Sequence, residues 1–395
     1  MAAARREIQL DKRSAEALRG GHPWVWPDAV DDLSPRPRLG EEVDLLDSVG
    51  SFIGRGLVDS GSGPAIRIFS REPRDPPLRK LLFRRIAAAR RLRQRVISDG
   101  TDAYRLLNGE GDLLPGLVAD RYGPVLVLRP DGQLWNPHLD AVLEAVRSEG
   151  GAGLRSVLLK PRDGEAELVH GEPAPDALVV SEVGRRYRVR PGHGQKTGFF
   201  LDQRPTRSAV QRLSRPGDRS LNLFSFTGGF SIAMALAGAE EVTSVDLSDS
   251  ILTDCKNQFP LNGLDPKPHR FIATNVFEWL PKQATLRDKP TYDLVVCDPP
   301  ALARKKGQLP AARSAYRRLH EGIASLVAKG GLLVTCSCTA RLGEEELLED
   351  ARQGLHAGGR RIRQVLSRGG AGEDHPVPPG FPEGRYLTCL TLALD

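Results

Sequence analysis

The stretch that decides the fold is Leu221-Asn222-Leu223-Phe224-Ser225-Phe226-Thr227-Gly228-Gly229-Phe230. An apolar strand runs there into a Gly-Gly turn and a helix, and about twenty residues later Asp246 closes a second strand over 241–245. This pattern is typical of an open α/β sheet that holds a nucleoside. From about Pro191 onward, strands and helices alternate with glycine at the turns, which predicts a doubly wound, Rossmann-like sheet.

The Gly-Gly turn also indicates which nucleoside the sheet would hold. Glycine lets the backbone pass close to a ligand, and the Asp246 carboxylate can accept hydrogen bonds from both ribose hydroxyls. A nicotinamide dinucleotide calls for G-x-G-x-x-G beneath its pyrophosphate, and that spacing is missing. S-adenosylmethionine (SAM) has no phosphate, so we expect SAM. The alternative without a ligand is a plain strand-to-helix turn followed by a chance aspartate.

An acid follows a later strand, in Val295-Val296-Cys297-Asp298-Pro299-Pro300. Two prolines stop the predicted strand, 293–297, and stiffen the turn, so the Asp298 carboxylate should lie at the carboxyl edge of the sheet. Methyltransferases that act on amino groups often place an aromatic residue after Pro-Pro, whereas this chain has Ala301. The acid is therefore expected to hold a ring nitrogen.

A thiol follows the next strand, in Leu333-Val334-Thr335-Cys336-Ser337-Cys338. The predicted strand, 331–337, comes after a Lys329-Gly330-Gly331 turn and brings Cys338 to the edge that carries Asp298. Carbon C5 of cytosine is a poor nucleophile until a group adds at C6, and a thiolate is the natural group to add. Together with the ribose clamp and the acid, this thiol predicts methyl transfer onto a pyrimidine ring.

One other interpretation of the thiol stays open, and a second is disfavoured. Cys336 should point to the same side as Cys338, so the two could form a buried, inert cysteine pair. They do not predict a metal site, because no second cysteine pair or histidine group stands at ligand spacing. A reactive thiolate would need positive charge nearby, for which Lys305 and Lys306 are candidates.

Composition limits the class of protein. The chain has 395 residues, 40% of them hydrophobic, five cysteines and a net charge of +6. No apolar run is long enough to cross a membrane and the N-terminus has no signal-peptide core, so we expect a cytoplasmic protein without a membrane partner. The odd, sparse set of cysteines suits a reducing compartment.

The positive charge is concentrated between Arg67 and Arg95, where eleven Lys or Arg face only Glu72 and Asp75. Apolar residues recur there at helical spacing, which predicts an amphipathic helix with arginines on its outer face. Such a face suits a phosphate backbone, although it could equally be a solvated surface that aids solubility. The predicted RNA contacts are Arg79, Lys80, Arg84, Arg85 and Arg91, together with Lys305 and Lys306.

Three domains are predicted along the chain. Short strands with glycine turns indicate a β-rich module over 1–74. The basic helix, a strand over 125–128, a helix over 137–149 and a strand over 156–160 indicate a small α+β domain over 75–190. The doubly wound sheet occupies 191–395.

Several stretches together resemble the bacterial 23S ribosomal RNA cytosine-C5 methyltransferase family of the large-subunit methyltransferase I type, over essentially the whole chain. The most specific is Lys196-Thr197-Gly198-Phe199-Phe200-Leu201-Asp202-Gln203-Arg204, with Asp298-Pro299-Pro300 and Thr335-Cys336-Ser337-Cys338. Gly21-His22-Pro23-Trp24-Val25 resembles the start of that family's N-terminal PUA domain, an RNA-binding module. The resemblance also covers the middle domain and the C-terminal strands.

The resemblance implies a role for each matching residue. Cys338 would be the nucleophile at C6, Asp298 would bind the N3 edge of the cytosine, and Asp246 would hold the ribose. Asn275 stands where relatives often place an acid that contacts the adenine amine. The implied cofactor-binding residues are Phe224, Thr227, Gly228, Asp246, Asn275, Asp298, Lys196 and Asp202.

The resemblance leaves part of the chemistry undetermined. Some cytosine-C5 methyltransferases carry a second cysteine where this chain has Ala301, so the group that aids product release and the base that removes the C5 proton are open. The implied partner is large-subunit ribosomal RNA, protein-poor or early in assembly. The oligomeric state is open, with a homodimer as one option.

Two other functions are weighed against cytosine-C5 methylation. The first is guanine-N7 methylation of ribosomal RNA, because a related branch shares the Lys-Thr-Gly and Asp-Pro-Pro signatures. The second is a non-catalytic RNA-binding or ribosome-assembly factor that keeps the fold, against which the intact Asp246, Asp298 and Cys338 argue.

Overall fold

The structure is a computed structural model that describes residues 5–30, 33–61, 63–162, 164–193, 197–303, 305–339 and 341–395, with the exception of the side chain of Lys306. The chain forms two compact units. Unit 1 comprises Met1–Val180, Val189–Leu201 and Glu373–Gly384, and unit 2 comprises Ser181–Arg188, Asp202–Gly372 and Arg385–Asp395. Among the described helices, none is both long enough and apolar enough to span a membrane.

The first sheet of unit 1 has the strand order β1-β3-β4-β5-β2. Its strands are β1 (Arg6–Gln9), β2 (Trp24–Val25), β3 (Glu42–Leu46), β4 (Phe52–Val58) and β5 (Ile66–Ser70). Helix α1 (Lys12–Arg19) is capped by Asp11, whose side chain accepts a hydrogen bond from the Ser14 amide at 3.0 Å. Alternate residues of β3 are buried, so one face of the sheet forms a small core.

The second sheet of unit 1 has the order β10-β9-β8-β7-β6 and packs against two helices. Its strands are β6 (Ala103–Asn108), β7 (Leu117–Tyr122), β8 (Val125–Pro130), β9 (Ser156–Leu159) and β10 (Glu167–Gly171). The helices are α2 (Leu78–Val96), the predicted basic helix, and α3 (Leu139–Glu149). Leu81, Leu82 and Ile86 of α2 are fully buried, as the helical spacing predicted.

The prediction that the arginines of α2 lie on its outer face is wrong for two of them. Arg85 and Arg93 are only 7% and 1% exposed. Arg93 forms an ion pair with Asp112 and donates to the carbonyl oxygens of Arg105 and Asp374, at 2.9 and 2.7 Å. These acceptors supply the partners that a buried guanidinium requires.

Unit 2 contains the predicted doubly wound sheet, with the order β15-β14-β13-β16-β17-β19-β18. A separate hairpin, β11 (Leu178–Glu182) and β12 (Arg185–Val189), precedes it. The strands of the sheet are β13 (Arg219–Leu223), β14 (Glu241–Asp246), β15 (Arg270–Ala273), β16 (Tyr292–Cys297), β17 (Val327–Ser337), β18 (Ile362–Gly369) and β19 (Thr388–Leu394). The helices are α4 (Arg204–Leu213), α5 (Gly229–Leu236), α6 (Asp249–Leu261), α7 (Val276–Ala284), α8 (Leu309–Ala324) and α9 (Glu344–Ala357).

One strand begins earlier than predicted. β17 starts at Val327 rather than 331, and the predicted turn at Gly330 lies within it as a register shift opposite β16. The predicted domain boundaries at 74/75 and 190/191 stay predictions.

The register of the parallel strands gathers the predicted site residues. Leu223 is paired with Val245 on one side and with Cys297 on the other, and Cys297 is paired with Thr335. Phe224, Asp246 and Asp298 therefore lie at the same carboxyl edge, with Cys338 just beyond it. From β13 the chain adds β14 and β15 on one side of the sheet and then crosses to add β16 on the other side. Open α/β sheets bind ligands at such a switch in strand order.

Candidate active site at the carboxyl edge of the sheet

The loop between β13 and α5 has an unusual backbone. Phe224 and Phe226 have φ of 59° and 48°, and Gly228 has φ of 83°. Two aromatic residues in the left-handed region are costly, and such backbone persists where the surrounding structure holds it, commonly at ligand sites. The Phe226 amide donates to the Asp246 carboxylate at 2.9 Å, which is one such restraint.

Asp246 ends β14 and is half-buried. Its Oδ2 accepts the hydrogen bond from Phe226, and its Oδ1 accepts one from the Ser248 amide at 3.3 Å. A carboxylate offers about four acceptor positions, so two backbone donors leave capacity for the hydroxyls of a ribose. The remaining acceptor positions of Asp246 therefore fit the ribose of SAM.

Asn275 caps helix α7. Its Oδ1 accepts from the Phe277 amide at 3.0 Å and its Nδ2 donates to Glu278 at 3.2 Å. An amide oxygen has a second lone pair, which is able to accept a hydrogen bond from the adenine amine. That contact stays a prediction. The ring of Phe277 stands 5.9 Å from that of Phe224, edge to face. Sequence reasoning missed this aromatic pair, because nothing local singles out Phe277.

Asp298 directly follows β16 and is half-buried. Its Oδ2 accepts a hydrogen bond from Nε2 of Gln203, at 3.0 Å. Gln203 lies in the quoted 196–204 stretch, yet its contact with Asp298 was not predicted, since 95 residues separate the two.

Cys338 differs from the other cysteines, all of which the structure describes. Cys255, Cys297, Cys336 and Cys389 are buried, whereas Cys338 is partly exposed. Its Sγ lies 3.9 Å from the carbonyl oxygen of Pro299, the residue after Asp298. The thiol thus lies beside the turn that follows Asp298.

Burial makes three of the other thiols poor nucleophiles. It raises the pKa of Cys255 to about 12 and the pKa of Cys297 well above its usual range. The pKa of Cys336 is raised by burial and by the adjacent Cys389. These thiols stay protonated at neutral pH, so the predicted alternative of an inert cysteine fits Cys336 and not Cys338.

The 196–204 stretch contributes a buried acid. Asp202 is 3% exposed and its Oδ2 accepts a hydrogen bond from the Tyr386 hydroxyl at 2.6 Å. Tyr386 is another residue that sequence reasoning missed. Lys196 lies outside the described residues. The contact of Asp202 with a cofactor stays a prediction, as do those of Phe224 and Thr227.

Comparison with known proteins decides the family. The model of the S-adenosylmethionine-dependent methyltransferase family matches residues 147–360, and that of the PUA-like domain matches 8–71. A ribosomal RNA large subunit methyltransferase of Deinococcus radiodurans is 36% identical, over 100% of this chain and 98% of its own length. This chain belongs to the SAM-dependent methyltransferase family.

Further relatives and solved structures agree. Ribosomal RNA large subunit methyltransferase I of Tolumonas auensis is 34% identical, with 98% of both chains covered, and that of an Escherichia coli strain is 33% identical, with 96% and 97% covered. The crystal structure of SMU.776 with SAH matches with a TM-score of 0.87 at 23% identity, covering 98% of this chain and 100% of that one. The predicted family, the Rossmann-like fold with a PUA-like domain and SAM as cofactor are confirmed.

The predicted RNA contacts of this methyltransferase lie in both units. Arg79, Lys80, Arg84 and Arg91 are exposed on α2 in unit 1. Arg79 forms an ion pair with Glu144 at 2.5 Å and Arg84 one with Asp75 at 3.3 Å, pairs that RNA phosphates would have to displace. In unit 2 Lys305 is exposed, and the side chain of Lys306 lies outside the described residues.

Arg85 is a correction among these residues. Its Nη1 donates to the Leu113 carbonyl oxygen at 2.7 Å and its Nη2 is 3.6 Å from Asp75. Burial lowers the pKa of its guanidinium to about 10. Arg85 holds unit 1 together and does not present its charge on the surface.

Proposed function

We propose that this methyltransferase transfers a methyl group from SAM to C5 of a cytosine in 23S ribosomal RNA, through a covalent bond between Cys338 and C6. The observation that carries the proposal is the partly exposed Cys338 thiol, 3.9 Å from the backbone that follows Asp298, at the carboxyl edge of a methyltransferase sheet. The names of the full-length relatives support ribosomal RNA of the large subunit as the substrate class.

The chemistry uses the thiol and the acid in turn. The Cys338 thiolate adds to C6, the C5–C6 double bond opens, and C5 gains the electron density it needs to attack a methyl group. Bound SAM supplies that group as an electrophile. Loss of the C5 proton to a base then allows the C6–S bond to break, which restores the ring and releases the thiolate. Asp298 contacts the N3 edge of the ring, where its carboxylate accepts a hydrogen bond from the N4 amine, and so stabilises the adduct.

The remaining parts of the chain suit an RNA substrate. A PUA-like module and the exposed basic side chains of α2 lie in unit 1. Ring chemistry requires the cytosine to leave its stack, so an accessible or protein-free segment of ribosomal RNA is the expected substrate.

A trapping experiment tests the proposal. RNA that carries 5-fluorocytosine has no C5 proton to lose, so the enzyme should stay joined to it after methyl transfer. We expect a covalent complex with the native enzyme in the presence of SAM, and none with Cys338→Ala. Cys336→Ala is the matched control, since it removes a buried thiol two residues away and should leave trapping intact.

Two further measurements, of the methylated product and of SAM binding, distinguish the possible outcomes of this test. Mass spectrometry of nucleosides from treated ribosomal RNA should show 5-methylcytidine, and calorimetry should show that Cys338→Ala still binds SAM. A covalent complex with Cys338→Ala, or 7-methylguanosine as the product, would overturn the proposal.

A further inference from the structure

We infer that Gln203 is a positioning residue that holds the Asp298 carboxylate in the orientation and charge state needed to select and activate the target cytosine. The inference rests on the proposed function, because it gives Asp298 the role of contacting the base.

The contacts of Gln203 determine the orientation of its amide. The side chain is 3% exposed, its Nε2 donates to Oδ2 of Asp298 at 3.0 Å, and its Oε1 accepts from Sγ of Cys389 at 3.5 Å. An ionised carboxylate can only accept and a thiol can donate, so only this orientation of the amide satisfies both neighbours.

Cys389 is itself held in place. The Thr206 hydroxyl donates to its sulfur at 3.3 Å, and Cys389 is paired with Cys336 across β17 and β19. Thr206 and Gln203 lie at the start of α4, so a buried chain of polar groups runs from this helix to Asp298. Every link of the chain lies inside unit 2.

The chain has a chemical consequence for base recognition. A hydrogen bond donated to a carboxylate favours its ionised form and restricts its rotation. An ionised carboxylate accepts a hydrogen bond from the N4 amine of cytosine. It repels the O4 carbonyl that uracil presents at the same place. Gln203 would therefore favour cytosine over uracil as well as stabilise the adduct.

The two buried thiols nearest Asp298 do not ionise in the acid range. The Asp298 charge contributes to raising the pKa of Cys297 and Cys336, after burial and, for Cys336, after Cys389. Cys338 lies on the adjacent strand end, and Asp202 is bonded to Tyr386. Both buried thiols thus titrate far above neutral pH. The fall of kcat/KM on the acid side of its pH profile therefore reports carboxyl groups.

The test compares Gln203→Glu with Gln203→Met across about pH 5 to 9. Gln203→Glu places a second carboxyl against Asp298, so the acid limb of kcat/KM should move upward by about one pH unit or more. Gln203→Met fills the space without donating and should lower kcat/KM about 10- to 100-fold near neutral pH. Gln353→Glu, on the exposed face of α9, is the matched control and should change neither.

A second measurement keeps the inference separate from the proposed function. Carbon-13 NMR of aspartate-labelled protein, with Asp298→Asn to assign the signal, reports the titration of the Asp298 carboxyl without any RNA. An upward shift in Gln203→Glu supports the inference even if another nucleoside is methylated. An unmoved acid limb together with an unmoved carboxyl titration, in variants whose circular dichroism matches the native protein, would overturn it.

Discussion

Gly228 shows how tightly neighbouring atoms constrain the loop between β13 and α5. A Cβ added to it would lie 2.4 Å from Sγ of Cys255, and its φ of 83° is unfavourable for any side chain with a Cβ. Cys255 is fully buried, so the space beside Gly228 is already filled. The glycine is thus needed both for its backbone and for the space beside it.

Substitution of Gly228 should therefore destabilise unit 2 in two separable ways. We expect Gly228→Ala to lower the free energy of unfolding by about 2–4 kcal/mol, from backbone strain and overpacking together. Adding Cys255→Ala should recover only the overpacking part, because the backbone strain remains. A double-mutant cycle by urea unfolding measures the recovered part, and strictly additive effects of the two substitutions would contradict this account.

Asp246 allows a prediction about cofactor binding at the same scale. Asp246→Asn keeps the shape but replaces one acceptor oxygen with a donor, which conflicts with either the Phe226 or the Ser248 amide. We expect SAM affinity to fall by about tenfold or more, measured by calorimetry. Glu240→Gln, an exposed acid before β14, is the matched control. Equal SAM affinity in both variants would rule out Asp246 as the ribose contact.

At the scale of elements, helix α8 and strand β17 are joined by a buried histidine. His320 of α8 is fully buried, one ring nitrogen, Nε2, lies 2.9 Å from the Thr335 hydroxyl of β17, and burial lowers its pKa to about 4. The same histidine in the unfolded chain titrates near pH 6.5. Between these two values the unfolded state binds more protons than the folded state, so stability falls as the pH falls.

This difference predicts an acid-sensitive contact between the two elements. Lowering the pH from about 7.5 to about 5 should cost roughly 2 kcal/mol of unfolding free energy through His320. His320→Gln should be less stable at neutral pH but should lack this part of the pH dependence. Urea titrations of both proteins at the two pH values test this, and identical pH dependence in both would contradict it.

At the scale of the whole molecule, positive charge is placed unevenly. Helix α2 contains eight Lys or Arg and no acid, yet Arg85 and Arg93 are buried and Arg79 and Arg84 are paired with carboxylates. Within the described part of the chain, Lys80 and Arg91 form no ion pair. RNA phosphates could reach these two exposed charges without displacing a partner, as they could the exposed Arg95 near the end of the helix.

Binding of RNA should respond to those charges through salt. The double variant Lys80→Gln/Arg91→Gln should weaken binding to RNA of any sequence and lower the salt slope by about one per residue removed. Arg352→Gln, on exposed helix α9, is the control and should leave the slope unchanged. Filter-binding titrations over a series of salt concentrations measure the slope, and an unchanged slope in the double variant would exclude these residues as phosphate contacts.

Much of the fold could be predicted because periodic patterns are local. Strands β14 and β16 were predicted to within one residue at each end, and α2 was predicted from the spacing of its leucines. The same locality placed Asp246 and Asp298 at strand ends, where parallel pairing must bring them together. The prediction failed at β17, since its early start depends on pairing with Tyr292 rather than on its own residues.

The sequence by itself determined the sheet, its ligand edge and the residues at each strand end, because alternation and glycine turns act over a few neighbouring positions. Only the tertiary structure decided which polar groups meet. It paired Gln203 with Asp298, Asp202 with Tyr386 and Arg93 with the Asp374 carbonyl, across 95, 184 and 281 positions. It also left Cys338 as the one partly exposed cysteine. Such contacts depend on how distant elements pack, and no periodic pattern in the chain encodes them.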